Sequence, residues 1–112
     1  MSDNLKREIR LVLTSHVVRN ISRRFGVEDP RRITDVFARA MKDGFVSTCA
    51  QNVLVEFGCI LIVGELDDSV FRVGTVLNLS NGIPKRVKEM LDHQRPSPWS
   101  DCLILFQEGD VQ

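Results

Sequence analysis

Three cysteines, two histidines, one tryptophan and a few charge clusters are the residues here whose chemistry reaches beyond packing. Cys49, Cys59 and Cys102 stand far apart, and their odd number with no C-x-x-C spacing argues against a disulfide framework or a zinc site. They read as buried reduced thiols, since a free cysteine behaves as a small apolar side chain. His16 and His93 have no cysteine or acid set at ligand spacing and read as structural. Asp67-Asp68 would serve as an acid and base pair only inside a cleft, and two adjacent aspartates before a serine are more simply a solvated turn. No glycine-rich phosphate loop is present. The expectation is a protein that binds and does not catalyse, with no cofactor and no metal.

Charge supplies the binding candidates. The chain is neutral overall, but residues 1–43 hold ten basic and six acidic side chains, and residues 44–112 hold five basic and nine acidic. A basic half of +4 can steer onto phosphate, or pair with the −4 half of a neighbour. Arg23-Arg24 and Arg31-Arg32 flank one turn; they form either a phosphate patch or solvated faces paired with Glu28 and Asp35. Lys85, Arg86 and Lys88 open a late helix, where free backbone N–H groups already favour anions. With Arg72 they are the strongest DNA candidates, or else they are surface charges with Glu89 and Asp92 as i+4 partners. Trp99 follows Pro96-Ser97-Pro98, a stiff approach to either an exposed hot spot or a plug at the edge of the core.

Which elements would hold these residues? A length of 112 residues is one domain, and 43% hydrophobic with 27% charged residues is globular composition. No apolar run nears the roughly 20 residues of a membrane helix. The charged start MSDNLKREIR lacks a secretory core, so a cytoplasmic or nuclear location is expected. Leu5, Ile9, Val12, Leu13, Val17, Ile21 and Phe25 predict one helix over residues 5–25, stopped by Gly26. Asp29 as N-cap and Pro30 open a second, with Ile33, Val36, Phe37, Ala40 and Met41 inward; it runs on towards Cys49, with Gly44 as its weak point. Between Asn52 and Leu66, helix and strand patterns both fit. Gly58 and the β-branched density favour strands, at Val53–Phe57 and Ile60–Glu65. Asp67-Asp68-Ser69 then turns into the alternating run Val70–Leu79. A short helix, Pro84–His93, and an apolar run, Cys102–Phe106, as edge strand or docked tail, complete the order.

That order, with Val55-Glu56-Phe57-Gly58 leading into Cys59–Val63 and Leu77–Leu91 (LNLSNGIPKRVKEML) closing, resembles the HU and integration host factor family of DNA-architectural proteins. The resemblance covers about residues 13–93. It implies an α+β, HU-like fold, with two N-terminal helices packed on a short three-stranded antiparallel sheet, then a short C-terminal helix and tail. Domain limits would be 1–94, with a C-terminal extension at 95–112. It departs from the family at Glu56, where glycine is usual, and at Gly64–Ser69, too short, acidic and proline-free to be the family's minor-groove arm.

The resemblance further implies a homodimer, with Phe37, Val53, Val55, Phe57, Leu61 and Trp99 as candidate dimer or partner contacts. The function expected is that of a small DNA-associated, nucleoid or regulatory protein, touching DNA through Arg72, Lys85, Arg86, Lys88, Arg31 and Arg32. The alternative is an armless HU-like module that binds another protein, with no membrane partner in either case. A helix-turn-helix over Ile21–Phe37 fits less well, because the spacing after Gly26 is a residue long and Pro30 sits where the reading helix begins.

Overall fold

Thr14 divides the first apolar segment in two. In the computed structural model, which describes residues 7–49, 51–82, 85–90 and 94–109, Glu8–Leu13 is a strand (β1) and Ser15–Phe25 a helix (α1). The Thr14 hydroxyl accepts the Val17 N–H at 3.2 Å, the bond of an N-cap. The expected single helix is therefore corrected. Ile9, Leu11 and Leu13 alternate into the core as a strand, and helical spacing begins only at Val17 and Ile21.

Helix α1 ends at Gly26, whose N–H donates to the Ser22 carbonyl at 2.9 Å. The next helix, α2 (Pro30–Asp43), starts where the sequence places it, with the Asp29 side chain accepting from Arg31 N–H at 3.0 Å. It does not run on. A Cβ at Gly44 would lie 2.5 Å from the Ala40 carbonyl oxygen and 2.8 Å from that of Glu56. Only glycine lets the chain leave the helix here and pass directly into a strand, β2 (Phe45–Cys49), beside its neighbour.

Next come β3 (Asn52–Phe57) and β4 (Ile60–Asp67), joined by the two-residue turn Gly58-Cys59 with Gly58 at φ 61°. Strand β5 (Val70–Asn78) follows the turn at Asp68-Ser69. A 3-10 turn (Leu79–Asn81), a short helix α3 (Lys85–Met90), β6 (Arg95–Pro96) and β7 (Leu103–Glu108) complete the described chain. The strands form one sheet in the order β6-β2-β3-β4-β5-β1-β7. Within it β1 runs parallel to both β5 and β7, and the other pairs are antiparallel. The HU-like expectation of two helices on a three-stranded antiparallel sheet is overturned: the sheet is seven-stranded, mixed and curled. Two segments read as helix are strands: Glu8–Leu13 pairs only with residues far along the chain, and Phe45–Cys49 pairs with Asn52–Phe57, which follows it directly, and with Arg95–Pro96.

Chain connectivity forces the curl. Six strand spacings of roughly 4.8 Å make a flat sheet about 29 Å wide. Residues 97–102 join β6 on one edge to β7 on the other, and seven Cα steps reach at most about 25 Å fully extended. These residues are folded into turns, with Cys102 N–H donating to the Trp99 carbonyl at 3.0 Å, so the two edges come closer still. Helices α1 and α2 lie in the hollow, over β5 and β3 respectively. There Val17, Ile21, Ile33, Phe37, Ala40 and Met41 meet Leu11, Val55, Ile62, Phe71 and Val73 from the strands. Trp99 closes the open side, stacked on Phe71 with ring centres 6.3 Å apart. The other face is covered in part as well, since Val12, Leu54 and Leu61, which alternate with the inward residues, are buried too.

Candidate interaction surface

The two edges of this sheet are unlike. On one side β6 is only two residues long, and the second is Pro96, which has no N–H to offer. Short strands and proline are how sheets blunt an edge. On the other side β7 runs for six residues, Leu-Ile-Leu-Phe-Gln-Glu, without proline or lysine.

Backbone alternation fixes which groups of β7 are free. Leu103 N–H donates to the Arg7 carbonyl at 2.8 Å and Gly109 N–H to the Leu13 carbonyl at 2.9 Å. Odd-numbered residues therefore face β1, and the N–H and C=O groups of Ile104, Phe106 and Glu108 face away. Among the described residues no strand pairs with that side. The side chains add apolar surface: Leu103 is 47% and Phe106 37% exposed. Register places Ile104 opposite Ile9 and Phe106 opposite Leu11, on the helix-bearing face, whereas Leu103 and Leu105 lie on the reverse. Strand β7 is held firmly from within, by six consecutive pairings to β1 and by buried Cys102 and Trp99 just before it.

The basic candidates are spread out. Arg31 and Arg32 are exposed in the first turn of α2. Arg72 is exposed on β5 between inward-facing Phe71 and Val73, and so points away from the helices. Lys85 and Lys88 are exposed on α3, which packs beside β2; the side chain of Arg86 lies outside the described residues. Arg31 and Arg32 thus sit on the opposite side of the sheet from Arg72. On α1, Arg19, Arg23 and Arg24 are exposed and no acid shares the helix, although Arg24 Nη1 donates to the Val76 carbonyl at 2.6 Å.

The candidate interface residues lie inside one chain. Phe37, Val53, Val55, Leu61 and Trp99 are buried, and Phe57 is half-buried against the core. Trp99 is the plug and not the exposed anchor.

Cys102 is a buried free thiol, but Cys59 is exposed in the β3–β4 turn, which corrects the expectation that it is buried. The side chain of Cys49, together with Pro84 and His93, falls outside the described residues. His16 is exposed and within 3.2 Å of Asn20 Nδ2, and Asp67 and Asp68 are exposed. Among the described residues no group of histidine, cysteine or carboxylate side chains could hold a metal, and no helix is long and apolar enough to cross a membrane.

Two hollows remain. One, about 40 Å³, is entirely apolar and lies between the α1–α2 turn and β4–β5, lined by Phe25, Val27, Val36, Ile60 and Val76 among others. It has room for a packing adjustment and no group to orient a ligand. The other, about 270 Å³, opens between the start of α1 and the end of β7, where Arg19 and Glu108 oppose each other in charge. Sequence reasoning underweights β7, although its apolar run, Leu103–Phe106, is the signal. No family model, no curated protein and no solved structure matches this chain.

Proposed function

We propose that this chain is an interaction module, working by strand addition: an extended segment of a partner protein pairs with β7 as the next strand of the sheet. The observation that carries this reading is the contrast of edges, one closed by Pro96 and the other offering outward amides at Ile104, Phe106 and Glu108 beside exposed Leu103 and Phe106. In strand addition the main-chain bonds give affinity, and alternate side chains give specificity. Panning a displayed peptide library on the folded protein tests it. Selected peptides should bind the wild type and lose affinity to Phe106→Pro, which deletes an outward N–H and leaves the β1-facing bonds in place. Peptides indifferent to that change would refute the reading.

A second reading, contact with nucleic acid, is supported by the three exposed arginines of α1 together with Arg31 and Arg32. It requires DNA affinity that falls steeply with salt. If Arg19→Glu and Arg23→Glu leave binding unchanged, that helix is not the contact.

A further inference from the structure

We infer that in the absence of another partner the β7 edge pairs with the β7 of a second copy, antiparallel about a two-fold axis, with Ile104 opposite Phe106 of the other copy and Leu105 opposite its own counterpart. This rests on the strand-addition reading of the same edge and names the occupant.

Geometry selects the register. A two-fold axis relating antiparallel strands in one continuous sheet stands perpendicular to it, so residues facing each other share a face and their numbers sum to an even value. The outward-facing backbone groups belong to Ile104, Phe106 and Glu108, so narrow hydrogen-bonded pairs form only between even-numbered residues. A sum of 210 keeps most of the strand within itself. Ile104 then meets Phe106 twice, Leu105 meets Leu105 at the axis, and Leu103 meets Gln107. A sum of 212 brings Glu108 opposite Ile104, and a sum of 208 leaves Phe106 opposite Cys102, outside the strand.

Charge agrees with this choice. Glu108 is the one charged residue of β7, and it sits at its C-terminal end. In-register parallel pairing would set the two carboxylates side by side, whereas the antiparallel arrangement separates them by about six residues, roughly 20 Å. The chain's zero net charge adds no long-range repulsion between copies. The contact is small, one strand and the exposed parts of Leu103 and Phe106, so it falls among weak, reversible associations and not permanent dimers.

The test uses sedimentation over a concentration series together with site-directed cross-linking. Wild-type protein should move from its 12.7 kDa monomer towards twice that mass as concentration rises. Phe106→Pro should weaken the association about tenfold or more. In a Cys59→Ser background, Leu105→Cys should give a disulfide-linked dimer on mild oxidation, because a non-hydrogen-bonded antiparallel pair sets its Cα atoms roughly 4.5 Å apart. Leu103→Cys should not, its own counterpart being about four residues away. Should Phe106→Pro fail to fold, Phe106→Lys and the cross-linking pair decide the same question. A chain that stays monomeric at millimolar concentration and gives no Leu105→Cys dimer overturns self-pairing; library peptides that still bind, and lose affinity to Phe106→Pro, would leave strand addition standing. A dimer indifferent to all of these changes overturns self-pairing, and library peptides indifferent to Phe106→Pro overturn strand addition as well.

Discussion

Replacing Gly64 with alanine should damage this fold far more than the same change ten residues on. An added Cβ at Gly64 would collide with the Arg72 carbonyl oxygen and lie 2.5 Å from Phe71 Cε1. Neither neighbour yields easily. The carbonyl belongs to the β4–β5 ladder, and Phe71 is fully buried and stacked on Trp99. Overfilling a packed core costs about 1–3 kcal/mol, and with both obstacles rigid the upper figure applies. At Gly74, on the facing strand and at the irregularity between Val63 and Gly64, the added Cβ would meet only the Val63 carbonyl, at an ordinary 3.5 Å. Its φ is not left-handed, so alanine there restricts the unfolded chain and changes stability by at most about 1 kcal/mol in either direction. Urea unfolding separates the two. With a slope of about 1.5 kcal/mol/M, Gly64→Ala should lower the midpoint by roughly 2 M, and Gly74→Ala by less than about 0.7 M. Midpoints within about 0.3 M of each other, with unchanged slopes, would refute the packing of Phe71 beneath β4.

Other consequences follow from particular side chains. Trp99→Ala should cost about 3–5 kcal/mol, measured by thermal or urea unfolding, because it removes the plug joining the two halves of the sheet. The buried Ser47 hydroxyl has no hydrogen-bond partner among the described residues, so Ser47→Ala should raise stability by about 1 kcal/mol; a loss of that size would show that the hydroxyl is satisfied. Val36→Leu should extend into the apolar hollow and relieve a β-branched residue in a helix, raising the melting temperature by a few degrees. With Cys49 replaced by serine, Cys59 should react with a thiol reagent at once and Cys102 only on unfolding, as thiol titration with and without denaturant would reveal.

Much of the local structure is legible in the sequence because it is written in short-range chemistry. Asp29-Pro30 starts α2, Gly26 stops α1, and Asp67-Asp68-Ser69 turns β4 into β5. The global arrangement is not, for two physical reasons. In Leu5–Phe25, residues Ile9, Val12 and Leu13 fit a helical stripe, while Ile9, Leu11 and Leu13 fit a strand. Burial on both faces of β1, at Leu11 and Val12 alike, erases the contrast that would separate the two patterns. Thr14 is the discriminating signal, a cap in mid-segment. The second reason is range. Strand β1 is stabilised by residues 70–72 and 103–108, and nothing near Glu8 records those partners. With β1 and β2 misread as helix, the remaining order mimics two helices on a three-stranded sheet. The edge itself is half visible, as an apolar run near the C-terminus; its unpaired backbone becomes apparent only with β1 beside it.

Residue-resolved amide hydrogen exchange along β7 tests the central claim most directly. In dilute protein the amides of Leu103, Leu105 and Gln107, which face β1, should exchange slowly, while those of Ile104, Phe106 and Glu108 exchange fast. Raising the concentration, or adding a selected peptide, should slow the even-numbered set alone. Even-numbered amides already protected at high dilution, or a strand that exchanges uniformly under every condition, would contradict the account.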